Sequence, residues 1–364
     1  MASSSIGLPA PSPNETTAAR NATPSPWLVS PRFDVGFFLL SGLVVLVPWI
    51  ATGVFNVDPY LVLSAVAVVA NGPHLSSTWS RVYLDTRELR RRPVAVVVIP
   101  ALIAAVIITT IWMTPDAYRL FTSIILYWAT YHFAAQCYGL LRLYQRKSGE
   151  APSLTWRAEA AFIYAIAATA LMYRVHFGPR TLFNIVAYTP PVPLALVIAG
   201  GLVTVALALY VLVHHSVRAR EGRAVPWPRL AFLGATALGF GVPFFLIRDG
   251  TAGFAAAACW HGIQYLGIVY HYNRNKFREG PSAGGARLIS WVSQPGRAVA
   301  YGALMLALVG AVYGGVFVVA HTTGFDLWRT SLATWVTLTL SHYWIDGVIW
   351  KMRRDEQNRD VLAV

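Results

Sequence analysis

Apolar stretches of about twenty residues recur from residue 35 to residue 350, separated by short polar or charged loops. A bilayer-spanning helix needs roughly 20 mostly apolar residues, so the chain reads as an all-α, polytopic integral membrane protein. About ten spans fit: 35–55, 60–82, 93–113, 118–143, 157–173, 193–214, 228–247, 252–272, 298–320 and 327–350. Only 12% of the residues are charged and 56% are hydrophobic, against about 25% charged in an average soluble domain. So few charges could hardly cover a water-soluble globule, which argues against a soluble enzyme, a secreted disulfide scaffold and a disordered protein. Cys137 and Cys259 both lie in apolar segments, which argues against a structural disulfide or a cysteine-based zinc site.

The organisation follows from the spans. Residues 1–30, rich in Ser, Pro, Ala, Asn and Thr, are expected to be a disordered tail without a cleavable signal peptide. The sequon matches at Asn14 and Asn21 are read as chance. Residues 31–352 form a single transmembrane domain, and 353–364 a short charged cytoplasmic tail. Of the 29 lysines and arginines, only Arg119, Arg174, Arg180, Arg248 and Arg329 fall on one side of the expected topology. The rest cluster on the other side, which the positive-inside rule makes cytoplasmic. Both termini should then be cytoplasmic, with an even number of spans, in a bacterial inner or plasma membrane. The net charge of +13 is thus a topological signal and implies no nucleic-acid partner. Pro73 falls inside the second span, where it should bend the helix or free a carbonyl.

Ionisable groups are expensive inside a bilayer and carry a functional hypothesis by default. Of the nine histidines, His176, His214, His215 and His321 sit at expected ends or loops, where interfacial solvation explains them. His74, His132, His261 and His342 lie in the second, fourth, eighth and tenth spans. All four of these spans run toward the cytoplasm. Counting to the next basic residue at 1.5 Å per residue places each imidazole on the order of 10–20 Å inside the charged layer. Each has a polar companion about one turn further on: Thr78, Gln136, Gln264 and Asp346. Spacings of three or four put both side chains on one helix face. Asn71 adds an amide before His74, and His271 lies lower in the eighth span. Asp346 is the one carboxylate read as lying well inside a span.

Four such faces can converge on one chamber. Neutral imidazoles suit iron, copper and zinc, and amides or carboxylates behind them orient the rings. His74, His132, His261 and His342 are therefore the expected metal ligands. Gln136, Gln264 and Asp346 are the expected catalytic or orienting groups, with His271, Asn71 and Thr78 as further ligand or rim candidates. Trp79, Tyr127, Trp128, Tyr131, Tyr138, Trp260, Tyr265, Tyr270, Tyr343 and Trp344 crowd the same spans. They are either ordinary packing and interfacial belts or the walls of a pocket for a substrate arriving from the lipid.

The reading favoured is a histidine-ligated metalloenzyme, of non-haem iron and oxygenase type, acting on a lipid-soluble substrate. In general type it is similar to the four-histidine membrane iron oxygenases that cleave carotenoids, although no motif is shared. The alternatives are a transporter or proton-linked channel using the buried His and Asp, a bis-histidine haem electron carrier, and a structural membrane protein with polar interhelical contacts. The histidine boxes of membrane desaturases are absent, as are a P-loop and a GxGxxG after a strand. Any reductant must therefore come from an external electron donor or from the substrate.

Overall fold

The computed structural model describes residues 25–114, 116–178, 181–351 and 355–362. The expected tail up to residue 24, both sequons, Arg180 and the basic pair Arg353-Arg354 lie outside the described residues. The molecule is nearly all-α. Its long helices are α1 (Pro31–Gly53), α2 (Pro59–Tyr83), α4 (Val94–Met113), α5 (Ala117–Lys147), α6 (Leu154–Phe177), α7 (Leu194–Arg220), α8 (Trp227–Leu246), α9 (Gly250–Lys276), α11 (Ala298–Thr323) and α12 (Leu327–Ile349). Short helices α3 (Thr86–Arg91), α10 (Arg287–Val292) and α13 (Glu356–Leu362) lie between or after them. A two-stranded hairpin, β1 (Thr181–Leu182) and β2 (Ile185–Val186), joins α6 to α7.

Each expected span is occupied by a long helix. Seven of these are long and apolar enough to cross a membrane: α1, α2, α4, α6, α7, α8 and α11. The three that fall short, α5, α9 and α12, are those that carry His132, His261 and His342. Their polar content and their burial have one cause, because they form the centre of the bundle. Helices α4, α7 and α11 form its periphery, with 17%, 17% and 22% of their apolar windows buried. This distribution is that of a multi-pass membrane protein.

Side-chain caps fix the starts of three of the four helices that carry the histidines, α2, α9 and α12. Asp58 accepts from the backbone N–H of Tyr60 and Leu61, with Pro59 behind it. Asp249 caps Ala252 and Asp326 caps Arg329, contacts worth about 1 kcal/mol each. Within α2 the backbone adopts a π-helical turn over Ala67–Asn71 just before Pro73. Proline brings no N–H to the ladder, and the wider turn takes up this defect without breaking the helix. Helix α9 lies in the middle, packed on α1, α2 and α8. A Cβ at Gly262 would stand 3.1 Å from the Ala70 carbonyl and 3.3 Å from the His74 Cβ. The absent side chain lets α9 and α2 approach at the level of their histidines.

Candidate metal centre

The four histidines meet. His74, His132, His261 and His342 are all buried, and each offers one ring nitrogen to a group whose members lie within 4.8 Å of one another. The Nε2 atoms of His74 and His261 are 3.2 Å apart, as are those of His132 and His342. The rings form a closed cycle, His74–His261–His132–His342, with centroids 4.3–4.9 Å apart and steep edge-to-face angles at every contact. Four nitrogens held tetrahedrally at about 2.0–2.1 Å from one ion stand about 3.3 Å apart. The two close pairs already have that spacing.

Asp346 completes the group from one helical turn beyond His342. Its Oδ2 lies 3.6 Å from His342 Nε2 and 3.8 Å from His132 Nε2. Its other oxygen is held away from the rings: Tyr265 OH donates to Oδ1 at 2.6 Å, and Thr78 Oγ1 lies 3.2 Å from the same atom. Thr78 Oγ1 also meets His342 Nδ1 at 2.8 Å and Tyr265 OH at 2.7 Å. A ring that gives its Nε2 lone pair to a metal carries its proton on Nδ1. On His342 that proton has an acceptor waiting in Thr78. Trp350 Nε1 donates to Tyr265 OH at 3.2 Å.

The other expected residues occupy other places. Gln136 donates to the His261 backbone carbonyl at 3.1 Å and so braces α5 against α9. Gln264 turns to α1, donating to the Phe38 carbonyl at 3.2 Å. Asn71 closes the π-helical turn; its carbonyl faces His74 Nδ1 without reaching hydrogen-bond geometry. His271 lies apart from the four, beside Asn275 and Phe33. Among the aromatics, Tyr343 lies against His132 and Tyr265 against His74, at 4.5 and 4.9 Å between centroids. Trp260 packs on Phe240, Trp344 donates to the Ala95 carbonyl, and Trp128 and Tyr131 are exposed. The ring of Phe133, absent from the expected walls, lies tilted against His261 with 4.4 Å between centroids.

Two features depart from the sequence reading. His215 is buried, where an interfacial position was expected, and its Nε2 lies 3.1 Å from Glu159 Oε1. Arg229 reaches the same oxygen from α8 at 3.2 Å. Glu159, like Asp34 near the start of α1, is therefore a carboxylate buried within a long helix in addition to Asp346. Tyr265 is the second departure, since its hydroxyl orders Asp346. Its spacing of four from His261 matches that of Asp346 from His342, so the helix-face rule was a signal for it.

Compared with known protein families, with curated proteins and with solved structures, the chain matches none.

Proposed function

We propose that this protein is an integral-membrane metalloenzyme. It holds one transition-metal ion, iron by preference, on His74, His132, His261 and His342 and oxidises a lipid-soluble substrate. The observation that carries this reading is the convergence of four buried ring nitrogens from four helices beside the unengaged oxygen of Asp346. Buried polar atoms without a use are costly, and four imidazoles turned toward one point have an evident use in holding a cation. The ligand set is rich in nitrogen with one carboxylate, a donor set that suits iron, copper or zinc. Bound iron would supply one-electron and dioxygen chemistry. Thr78 fixes the tautomer of His342, Tyr265 and Thr78 hold Asp346 in place, and the buried packing around the rings excludes bulk water. All ten long helices cross the membrane in this reading, both termini on the cytoplasmic side, and an external donor supplies electrons.

The packing favours a single ion over haem, because rings in edge-to-face contact around a closed cycle offer no planar slot for a macrocycle. It also disfavours a continuous proton relay. The chain from His342 through Thr78, Asp346 and Tyr265 ends on the indole N–H of Trp350, which donates and cannot accept.

Metal analysis of the purified protein is the test. About one iron per chain without a Soret band is expected, falling severalfold or more in His132→Ala while the variant still inserts and elutes normally. Full metal content in all four single alanine variants, or a metal-free preparation that cannot be loaded, would overturn the proposal.

A further inference from the structure

A narrow cavity of about 40 Å³ lies between α5, α8 and α9 on the hairpin side of the histidines. Leu182 of the hairpin, Phe244, Phe254, Ala129 and Ala257 line it, and Phe133 forms part of its wall. Ala257 lies one turn before His261 on the same face of α9, and the Phe133 ring lies tilted against the His261 imidazole. One aromatic ring therefore separates the cavity from the four-histidine cluster. On the far side of the cluster, Tyr265 and Trp350 fill the space, and Arg81 is sandwiched 3.9 Å from the rings of Trp350 and Tyr272.

The walls define the guest. Of the polar side chains on the lining, Thr130 and Arg174 are engaged within the protein, and Thr181 at the hairpin end offers a single hydroxyl. Thr130 donates to the Leu126 carbonyl, and the Arg174 guanidinium donates to the carbonyls of Pro243, Ile247 and Arg248. A polar or charged guest would lose its hydration and gain little in return. The volume holds roughly two or three water-sized molecules, far too little for a long lipid-soluble substrate. We propose that this cavity is the route by which a small neutral molecule of dioxygen's size and polarity reaches the metal, with Phe133 as its gate. The inference rests on the metal reading above and adds to it a separate path for the small co-substrate.

Xenon, a neutral apolar probe, tests the cavity in the full-length, metal-free protein in detergent. It should bind between Phe133 and Phe254, and Ala257→Phe should abolish that signal; an empty cavity under xenon pressure overturns the proposal. Nitric oxide association with the iron(II)-loaded protein tests delivery. The rate should fall at least tenfold in Ala257→Phe, or in Ala129→Leu should the first variant fail to fold. It should rise severalfold in Phe133→Ala, with iron content unchanged throughout. Normal iron with unaltered rates sinks the delivery role alone. A protein that takes up no iron sinks the metal reading and the delivery role with it, and the iron content tells the two failures apart.

Discussion

A threonine hydroxyl has one proton to give and two lone pairs to offer, and Thr78 faces three partners: His342 Nδ1, Tyr265 OH and Asp346 Oδ1. Accepting from His342 Nδ1 turns the Nε2 lone pair of that ring toward the other histidines. Substituting Thr78→Val keeps the shape and removes the acceptor, so metal affinity should fall about 10–100-fold with the helical content unchanged. Thr78→Ser should recover most of it. Chelator competition measures both, and equal affinity in Thr78→Val and the parent would show that the hydroxyl has no hold on the ring. Tyr265→Phe leaves Asp346 Oδ1 with one partner fewer, and a buried acceptor so deprived costs about 1–3 kcal/mol. The melting temperature of the metal-free protein should drop accordingly. At this scale the sequence was partly legible. Depth within the expected spans found the four histidines, and spacing by three and four found Thr78 and Asp346. It named Tyr265 only among the aromatic residues, because a tyrosine in a membrane helix is commonplace, and it could not separate Gln264, turned to Phe38, from a residue turned to the ring.

Helices bring these residues together only where they can approach. Gly262 sits where α9 meets α2, and a larger side chain there must push against backbone at Ala70. Gly262→Leu should cost about 1–3 kcal/mol through overpacking and separate His261 from His74, lowering metal content more than His271→Ala does. The apolar runs located every long helix, but their pairing is a tertiary fact. Hence the buried meeting of Glu159, His215 and Arg229, from three helices, was hidden behind positions that looked interfacial. The docking of α13 was hidden in the same way. Asp355, just before it, pairs with Arg91 and Arg92 on the other side of the chain, while Asn358 accepts from Arg81 at 2.6 Å. Burial raises the Asp355 carboxyl, yet the two arginines outweigh it and hold it below the ordinary carboxylate range. The folded value is thus the lower one. The stabilisation is complete above the unfolded value, about 3.9, and is lost as pH falls through the folded value. A nitroxide on Glu356→Cys should be immobile at neutral pH and gain mobility in that acid range, whereas adding Asp355→Asn should free it at neutral pH. Mobility independent of both changes would mean that other contacts hold the segment.

At the scale of the whole molecule the question is how many helices cross. Residue pairs in contact define two ends. Trp112 packs near Phe325 and Arg119 lies over Tyr188, which groups the α4–α5, hairpin and α11–α12 connections at one end. Glu150 pairs with Arg218 and Arg229, and Lys276 with Asp85 and Glu88, at the turns where α5, α7, α9 and α2 finish. Hydropathy alone leaves α5, α9 and α12 outside the set of spanning helices. His132, His261, Gln264, His342 and Asp346 are buried, however, so the outer surface of these helices is more apolar than their average composition. The charge asymmetry of the loops points the same way, because removing α5 or α9 from the count would place basic loops on both sides, and removing α12 would move the basic C-terminal segment away from them. Both native cysteines are free and buried, so a membrane-impermeant thiol reagent should see little background. Cysteines placed at the exposed positions Asp116 and Thr322 should label from one side of sealed vesicles, and those at Arg223 and Arg278 from the other. Labelling of Asp116→Cys from the same side as Arg223→Cys would mean that α5 does not cross with its neighbours. His132 could then not share a depth with His74, His261 and His342 in the membrane, and the four-histidine centre would lose one of its supports.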